Sequence, residues 1–296
     1  MSSENVTTDL QAADSWISVS RRVMIFYQLK KNKLAMAGLI VIVFLILITI
    51  FAPLLMSYEY DEMDMDAVLI TYSPKHPLGT DNLGRDILCR LIFGTRVSLI
   101  MGLLVVVIGC VVGIALGGIA GYYGGNIDNI IMRFLDIYQS IPSILLAIAF
   151  ATALGPGQRS CVIALGIASF PGYARLIRAS IMQIRGLEYV DSGRMNGAGD
   201  ISIFTKHVLP NSFSPMIVYI TMSVGASILV VSALSFVGLG VQAPLPEWGA
   251  MLSGGRGLMR DHPTLVLYPG IMIMITVLAF NLFGDGLRDA LDPRLS

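Results

Sequence analysis

Charge is scarce in this chain of 296 residues, and the scarcity excludes most soluble folds. Charged residues make up only 14% of the sequence, whereas hydrophobic residues make up 55%. Ordinary soluble domains contain about 25% charged residues. The formal net charge is zero, so no basic surface for nucleic acid is indicated. This composition is typical of a membrane protein in contact with lipid.

Cysteine and the common catalytic motifs are also lacking. The three cysteines, Cys89, Cys110 and Cys161, are far apart and form no metal-ligand spacing, so we interpret them as packing residues. No lysine follows a glycine, which excludes a phosphate-binding P-loop. Neither GxSxG nor HExxH occurs. We therefore predict no catalytic residue, no metal site and no cofactor bound by this chain.

What the sequence does contain is a series of uncharged stretches that are candidates for membrane-spanning helices, which need about 20 apolar residues. The fourth stretch is short, but its helix can continue past Arg175 and Arg178, whose side chains can reach lipid headgroups. The fifth is too long and should include a loop after Gly240. The predicted fold is all-α, a polytopic bundle with six transmembrane helices over residues 34–56, 97–121, 137–154, 160–174, 211–246 and 262–284.

The N-terminal residues 1–33 are predicted to form a cytoplasmic tail with an interfacial helix, followed by the transmembrane domain at 34–296. Basic residues in the tail can contact headgroups, and its apolar residues share one helical face: Trp16, Val19, Val23, Phe26 and Tyr27. With the N-terminus inside, 13 of the 20 lysines and arginines lie in cytoplasmic segments. The positive-inside rule favours this orientation, which also puts the C-terminus in the cytoplasm.

Three further patterns have both a structural and a functional interpretation. An acidic run, Glu59 to Asp66, begins the first outer segment and is either a solvated face or a docking surface for an outer partner. Prolines interrupt three predicted spans, either as packing kinks or as the lining of a cavity. A glycine stripe predicts a close helix crossing, with a neighbour either in this chain or in another; it comprises Gly109, Gly113, Gly117 and Gly121.

The span centres carry no charged residue. A proton-coupled or sodium-coupled carrier that uses buried carboxylates is therefore disfavoured, although some carriers bind sodium through carbonyl groups. Because the chain has no ATP-binding motif either, we expect the energy for any transport to come from another subunit. A self-sufficient channel or secondary carrier remains the alternative.

One polar stretch, residues 188–211, lies between the fourth and fifth spans and is predicted to face the cytoplasm. Residues 188–195 are predicted to form a short helix, and Gly197 its left-handed cap. Asp200 is the expected N-cap of a second helix that Pro210 stops. Ile201, Phe204, Val208 and Leu209 give that helix an apolar side. The stretch forms either a compact helix-turn-helix for another protein to bind or an amphipathic connector on the bilayer.

The stretch resembles the cytoplasmic loop of importer permeases of the ATP-binding-cassette class, which has the pattern EAA, three residues, Gly, nine residues, Ile, one residue, Leu-Pro. Asp191, Ser192 and Gly193 stand at EAA, and Gly197 follows at the family spacing. His207 stands where Ile is usual. The resemblance implies that the loop, about 186–211, contacts an ATPase subunit, with the coupling residues Glu188, Tyr189, Asp191, Ser192, Gly193, Gly197, Ala198, Leu209 and Pro210.

Three other segments resemble the peptide and nickel branch of that class: LGTDNLGRD at 78–86, PLPEWGAML at 244–252 and GDGLRDALDPR at 284–294. The chain is most similar to the second permease of a dipeptide, oligopeptide or nickel importer. The resemblance implies the type I importer permease fold, a different partner permease, two ATPase subunits that bind ATP and Mg, and an extracytoplasmic solute-binding protein. Peptides are the expected cargo, with nickel or another chelated metal as the alternative.

Overall fold

The computed structural model describes residues 21–56 and 58–291, and within these ranges the chain is helical, with a single isolated bridge between Thr80 and Asp86 instead of a sheet. Twelve α-helices are described, together with short 3-10 helices at Met65–Ala67 and Arg256–Leu258 and a π-helix at Phe204–Val208. The α-helices are α1 Arg21–Lys31, α2 Lys33–Leu55, α3 Ile87–Tyr123, α4 Gly125–Gln139, α5 Ser143–Leu154, α6 Gln158–Ile184, α7 Glu188–Met195, α8 Asp200–Ile203, α9 Leu209–Asn211, α10 Phe213–Phe236, α11 Trp248–Gly255 and α12 Thr264–Leu291.

Five of the described helices, α2, α3, α6, α10 and α12, are long and apolar enough to cross a membrane. The sixth candidate span is the pair α4 and α5, which is bent by 81°. The predicted all-α bundle is therefore confirmed, with six spans if the bent pair is counted as one.

The third predicted span, 137–154, is not one helix. α4 ends at Gln139, and the 12-residue helix α5 begins at Ser143 with Pro142 as its N-cap. The ring of a proline disfavours helical backbone at the preceding residue, which favours a break before Pro142. By contrast, Pro171 and Pro269 are buried inside α6 and α12, which continue past them, so of these three prolines only Pro142 stands at a break between helices.

The ends of two other predicted spans also differ. α6 continues past Arg175 and Arg178 to Ile184, as predicted. α10 ends at Phe236, earlier than the expected loop after Gly240. Gly238 has a φ of 86°, a left-handed conformation in which the α-helix cannot continue, and this accounts for the earlier end.

At the N-terminus, α1 covers part of the predicted interfacial helix, and Trp16 and Val19 lie outside the described residues. Phe26 and Tyr27 are largely exposed, as expected for side chains that contact lipid. The Asn32 side chain accepts hydrogen bonds from the backbone N–H groups of Leu34 and Ala35, each at 3.1 Å, and so caps α2.

The glycine stripe on α3 packs against α6. Its neighbour is therefore a helix of the same chain and not of another chain. A β-carbon at Gly113 would lie 2.8 Å from the carbonyl oxygen of Phe170, and one at Gly117 would overlap the backbone carbonyl of Ala174. All four glycines are buried. Matching residues advance in the same direction along both helices, so α3 and α6 run parallel. In lipid, such close backbone contact stabilises a helix pair through dispersion.

Two ion pairs attach α4 to α6. Arg178 forms a salt bridge with Asp128, and Arg175 Nη2 lies 2.6 Å from Asp136 Oδ1. The first pair is mostly enclosed, whereas the second is exposed. Together they hold the amphipathic helix α4 at the end of the bundle where α3 ends and α7 begins.

Candidate functional site

The polar stretch folds into a helical loop, residues 186–211, at the end of the bundle where α3 and α6 terminate. Its first helix, α7, spans Glu188–Met195, as predicted. Val190 is 1% exposed and anchors the helix on the bundle, whereas Met195 is 90% exposed. The Ser192 hydroxyl donates to the carbonyl oxygen of Glu188 at 2.9 Å, within the helix itself.

The turn after α7 depends on Gly197, whose φ of 81° is left-handed, as predicted for a helix cap. The backbone N–H of Ala198 donates to the carbonyl oxygen of Gly193 at 3.2 Å and closes the turn. A β-carbon at Gly197 would meet no atom within 4 Å. The requirement for glycine here is therefore conformational and does not come from crowding.

The second part of the loop differs from the prediction at both ends. Gly199, and not Asp200, is the N-cap of α8, because the Asp200 carboxylate accepts a hydrogen bond from another helix instead. Pro210 does not end the helical segment. The π-helix Phe204–Val208 leads directly into α9, and Ser212 connects α9 to α10. Proline has no backbone N–H, so Pro210 cannot donate a hydrogen bond to a carbonyl in the preceding turn. The wider π turn before it is one way to accommodate the missing hydrogen bond.

Only part of the predicted apolar side is buried in the bundle. Val208 is fully buried, whereas Ile201 is 78% exposed, and Ile203, outside the predicted set, is fully buried. Phe204 and Leu209 are partly buried against the core. The short helix α8 is thus held by the buried side chain of Ile203 and by the hydrogen-bonded carboxylate of Asp200. The pattern of apolar residues in the sequence did not indicate this pair.

A contact that the sequence did not predict joins the loop to α3. The Tyr122 hydroxyl donates to Asp200 Oδ1 at 3.0 Å and to the carbonyl oxygen of Asp200 at 3.2 Å. The rings of Tyr122 and Phe204 meet edge to face at 5.3 Å. Phe204 also lies over Gly118, where a β-carbon would come within 3.2 Å of its ring. The small size of Gly118 lets the loop seat directly on α3.

Arg185, just after α6, supports the same junction. Its Nη1 atom donates to the carbonyl oxygens of Gly121 at 2.8 Å and Tyr122 at 3.1 Å. The last carbonyls of a helix lack partners inside the helix, so this guanidinium satisfies the end of α3. The start of the loop and the end of α3 therefore form one connected unit.

The structure brings all the predicted coupling residues together in this loop, most of them accessible. Glu188, Tyr189, Asp191, Ser192, Gly197 and Pro210 are exposed, and Gly193, Ala198 and Leu209 are partly exposed. Two large apolar side chains beside them, those of Met195 and Ile201, are also exposed. Exposed apolar side chains on a braced loop are accessible to another protein.

At the opposite end of the bundle, Glu247 is a fully buried carboxylate whose role the sequence did not indicate. Its Oε1 atom accepts from the hydroxyls of Ser232 at 2.9 Å and Ser98 at 3.4 Å. Its Oε2 atom accepts from the backbone N–H of Ala250 at 2.9 Å and caps α11. It is the only acidic residue between Lys206 and Arg256 in the sequence. A single carboxylate in so long an uncharged stretch was the sequence signal that could have identified it.

Arg90, at the same end, connects the segment 58–86 to the segment before α11. Its Nη1 atom donates to the carbonyl oxygens of Tyr60 at 2.8 Å and Pro244 at 3.3 Å. Asp81 lies nearby and forms a 2.7 Å ion pair with Arg85. Arg90 therefore contacts both of the segments 78–86 and 244–252, through Asp81 and Pro244. Three of the five acidic residues in the run Glu59 to Asp66 are exposed, which fits either interpretation of that run.

A bundle of five or six spanning helices, with a braced helical loop at one end, defines a multi-pass membrane protein. Its fold is that of the importer permeases of the ATP-binding-cassette class. A solved structure of the MetNI methionine ABC transporter, in an inward-facing conformation, aligns with a TM-score of 0.56 over 70% of this chain and 98% of that chain. The sequence identity is 20%, so this likeness shows the fold alone.

Family models and relatives then define the family. Residues 113–296 match the binding-protein-dependent transport system inner membrane component, and residues 20–74 match the N-terminal TM domain of oligopeptide transport permease C. The chain belongs to the binding-protein-dependent transport permeases, and within them it groups with the oligopeptide permease C type. The predicted resemblance is confirmed.

Two curated relatives illustrate the similarity. The dipeptide transport system permease protein DppC of Alkalihalophilus pseudofirmus is 47% identical over 95% of this chain and 93% of its own length. The glutathione transport system permease protein GsiD of Pectobacterium atrosepticum is 45% identical over 90% of this chain and 89% of its own length.

Proposed function

We propose that this chain is one of two different permease subunits of an ATP-driven importer of short peptides, located in the cell membrane with both termini in the cytoplasm. The relatives support the cargo, because their names specify dipeptides and glutathione, which is itself a tripeptide. The distribution of lysines and arginines supports the orientation. An extracytoplasmic solute-binding protein delivers the peptide to the outer end of the bundle.

The 186–211 loop couples this chain to an ATPase subunit in the proposed importer. The observation that carries this assignment is the combination of an exposed apolar surface at Met195 and Ile201 with the firm attachment of the loop to α3. A force applied to the loop would reach α3 through the Tyr122–Asp200 contact. Two ATPase subunits would bind ATP and Mg. When they close on each other, the two permeases would move as rigid bodies from one packing arrangement to another.

The test is purification of this chain after co-expression with the subunits encoded beside it, followed by reconstitution into liposomes. We expect a stable complex with a second permease and two ATPase subunits. We also expect uptake of a labelled dipeptide that requires ATP and the binding protein. Uptake by this chain alone would instead establish a channel or secondary carrier, and uptake of nickel without peptide uptake would contradict the assigned cargo.

A further inference from the structure

A cavity of about 220 Å³ lies near the middle of the spanning helices, between α3, α5, α6 and α10. Two of the residues that line the cavity show its depth along the helices. Val105 is at the midpoint of α3, and Ser227 is just past the midpoint of α10. The volume exceeds by far the space that one water molecule needs. The cavity is therefore large enough for part of a solute.

The cavity wall is uncharged and mostly apolar, and hydroxyl groups are distributed over it. None of the residues that line it carries a charge, and half of them have hydroxyl groups: Ser143, Ser169, Tyr173, Tyr219, Ser223 and Ser227. On α10, positions 219, 223 and 227 recur every four residues and therefore share one face. Hydroxyl groups in one wall at membrane depth suit a water-filled or solute-filled passage better than a lipid contact.

The two tyrosines form a fixed part of this wall. Tyr173 and Tyr219 meet edge to face with their ring centroids 4.9 Å apart, and Ser223 lines the same cavity. A β-carbon at Gly172 would lie 2.5 Å from the Tyr219 hydroxyl oxygen. Glycine at 172 is therefore what allows Tyr219 to lie against α6.

A second cavity, of about 520 Å³, continues the first toward the end of the bundle that carries the 186–211 loop. The two cavities share Ser143 and Ala168 in their walls, at the break between α4 and α5. The second cavity includes the exposed pair Arg175 and Asp136. The two cavities are therefore adjacent at the break beside Pro142, with the second on the side of the 186–211 loop.

We propose that the uncharged cavity is this chain's share of the substrate path, and that it accommodates the peptide backbone without selecting for side-chain charge. Hydroxyl groups both donate and accept, so they match the N–H and C=O groups of any peptide. A fixed charge at this depth would strongly favour one sign of side chain over the other, because charges interact strongly where water is scarce. The inference rests on the proposed importer function.

The first test blocks the cavity. Ala226 lines it from α10, whereas Leu229 lies on the same helix, outside the cavity wall and 52% exposed. In the reconstituted importer, Ala226→Trp is expected to abolish dipeptide uptake, while Leu229→Trp retains it. Both complexes should purify with the same subunits and in the same amounts. Undiminished uptake by the Ala226→Trp complex would overturn the assigned path.

The second test places a charge in the cavity. Ser227→Asp is expected to change the ratio of uptake of a lysine-containing to a glutamate-containing dipeptide by about tenfold or more in favour of the lysine peptide. Ser227→Asn, which has the same size without the charge, should leave the ratio unchanged. An unchanged ratio in the Asp complex would overturn the proposal. Absence of ATP-driven uptake in the parent complex would instead refute the importer function itself.

Discussion

The hydroxyl of Tyr122 at the end of α3 donates a 3.0 Å hydrogen bond to the carboxylate of Asp200, the first residue of α8. This contact connects a spanning helix directly to the loop proposed to receive the ATPase. It also explains why Asp200 does not cap its own helix. Mechanical coupling requires a connection of this kind, since a loop held only by its two chain ends could move without moving the bundle.

Removing that hydroxyl tests the connection. Tyr122→Phe keeps the edge-to-face contact with Phe204 but loses the hydrogen bonds to Asp200, at a cost of about 1 kcal/mol. We expect the reconstituted complex to hydrolyse more ATP for each peptide imported, measured by parallel uptake and ATPase assays. Tyr123→Phe is the control, because Tyr123 is 56% exposed. An unchanged ratio in the Tyr122 variant would show that the contact does not transmit movement.

Gly197 permits a second test of the loop. Gly197→Val forces a β-branched residue into a left-handed conformation, which costs about 1–2 kcal/mol, so the turn between α7 and α8 should change shape. We expect loss of peptide uptake with normal amounts of protein in the membrane. Gly199→Val is the matched control, because Gly199 has a φ of −68° and, like Gly197, open space around its α-carbon. Normal uptake and normal substrate-stimulated ATPase activity in the Gly197 variant would refute the coupling role of the turn.

Much of the fold could be predicted because lipid imposes simple requirements on sequence. Uncharged stretches predicted the spanning helices, and the glycine stripe predicted a close crossing. The helix Glu188–Met195 and the left-handed Gly197 followed from local chemistry. What could not be predicted depends on long-range contacts: the pairing of Asp200 with Tyr122 and the partners of Glu247 join residues far apart in the chain.

The interface between α3 and α6 should be sensitive to a single methyl group. Gly117→Ala would place a β-carbon against the backbone carbonyl of Ala174, so the two helices must separate. We expect a loss of about 1–3 kcal/mol, as for other overpacked interiors, seen as a lower unfolding temperature of the purified complex. Ala115→Val adds more volume at an exposed position of α3 and should have little effect. Equal stability of the two variants would contradict the close packing.

Arg90 should resist replacement by lysine although the charge is kept. A single nitrogen of its guanidinium donates to the carbonyls of Tyr60 and Pro244, and its Nε atom lies 3.7 Å from Asp81. A lysine cannot reproduce this planar arrangement. We expect Arg90→Lys to destabilise the complex by about 1–3 kcal/mol, measured by thermal unfolding, because two partly buried carbonyls lose a donor. Arg96→Lys, at an exposed position of the same helix, is the control and should be neutral.

Glu247 provides the last test, at the opposite end from the loop. Glu247→Leu would leave the Ala250 N–H and the Ser232 and Ser98 hydroxyls without their acceptor, and each unsatisfied buried group costs about 1–3 kcal/mol. Glu247→Gln keeps the size and one acceptor oxygen, so its unfolding temperature should fall between those of the Leu variant and the parent. Glu62→Gln, at an exposed position, should match the parent. A Leu variant as stable as the parent would show that the carboxylate does not hold α11 in place.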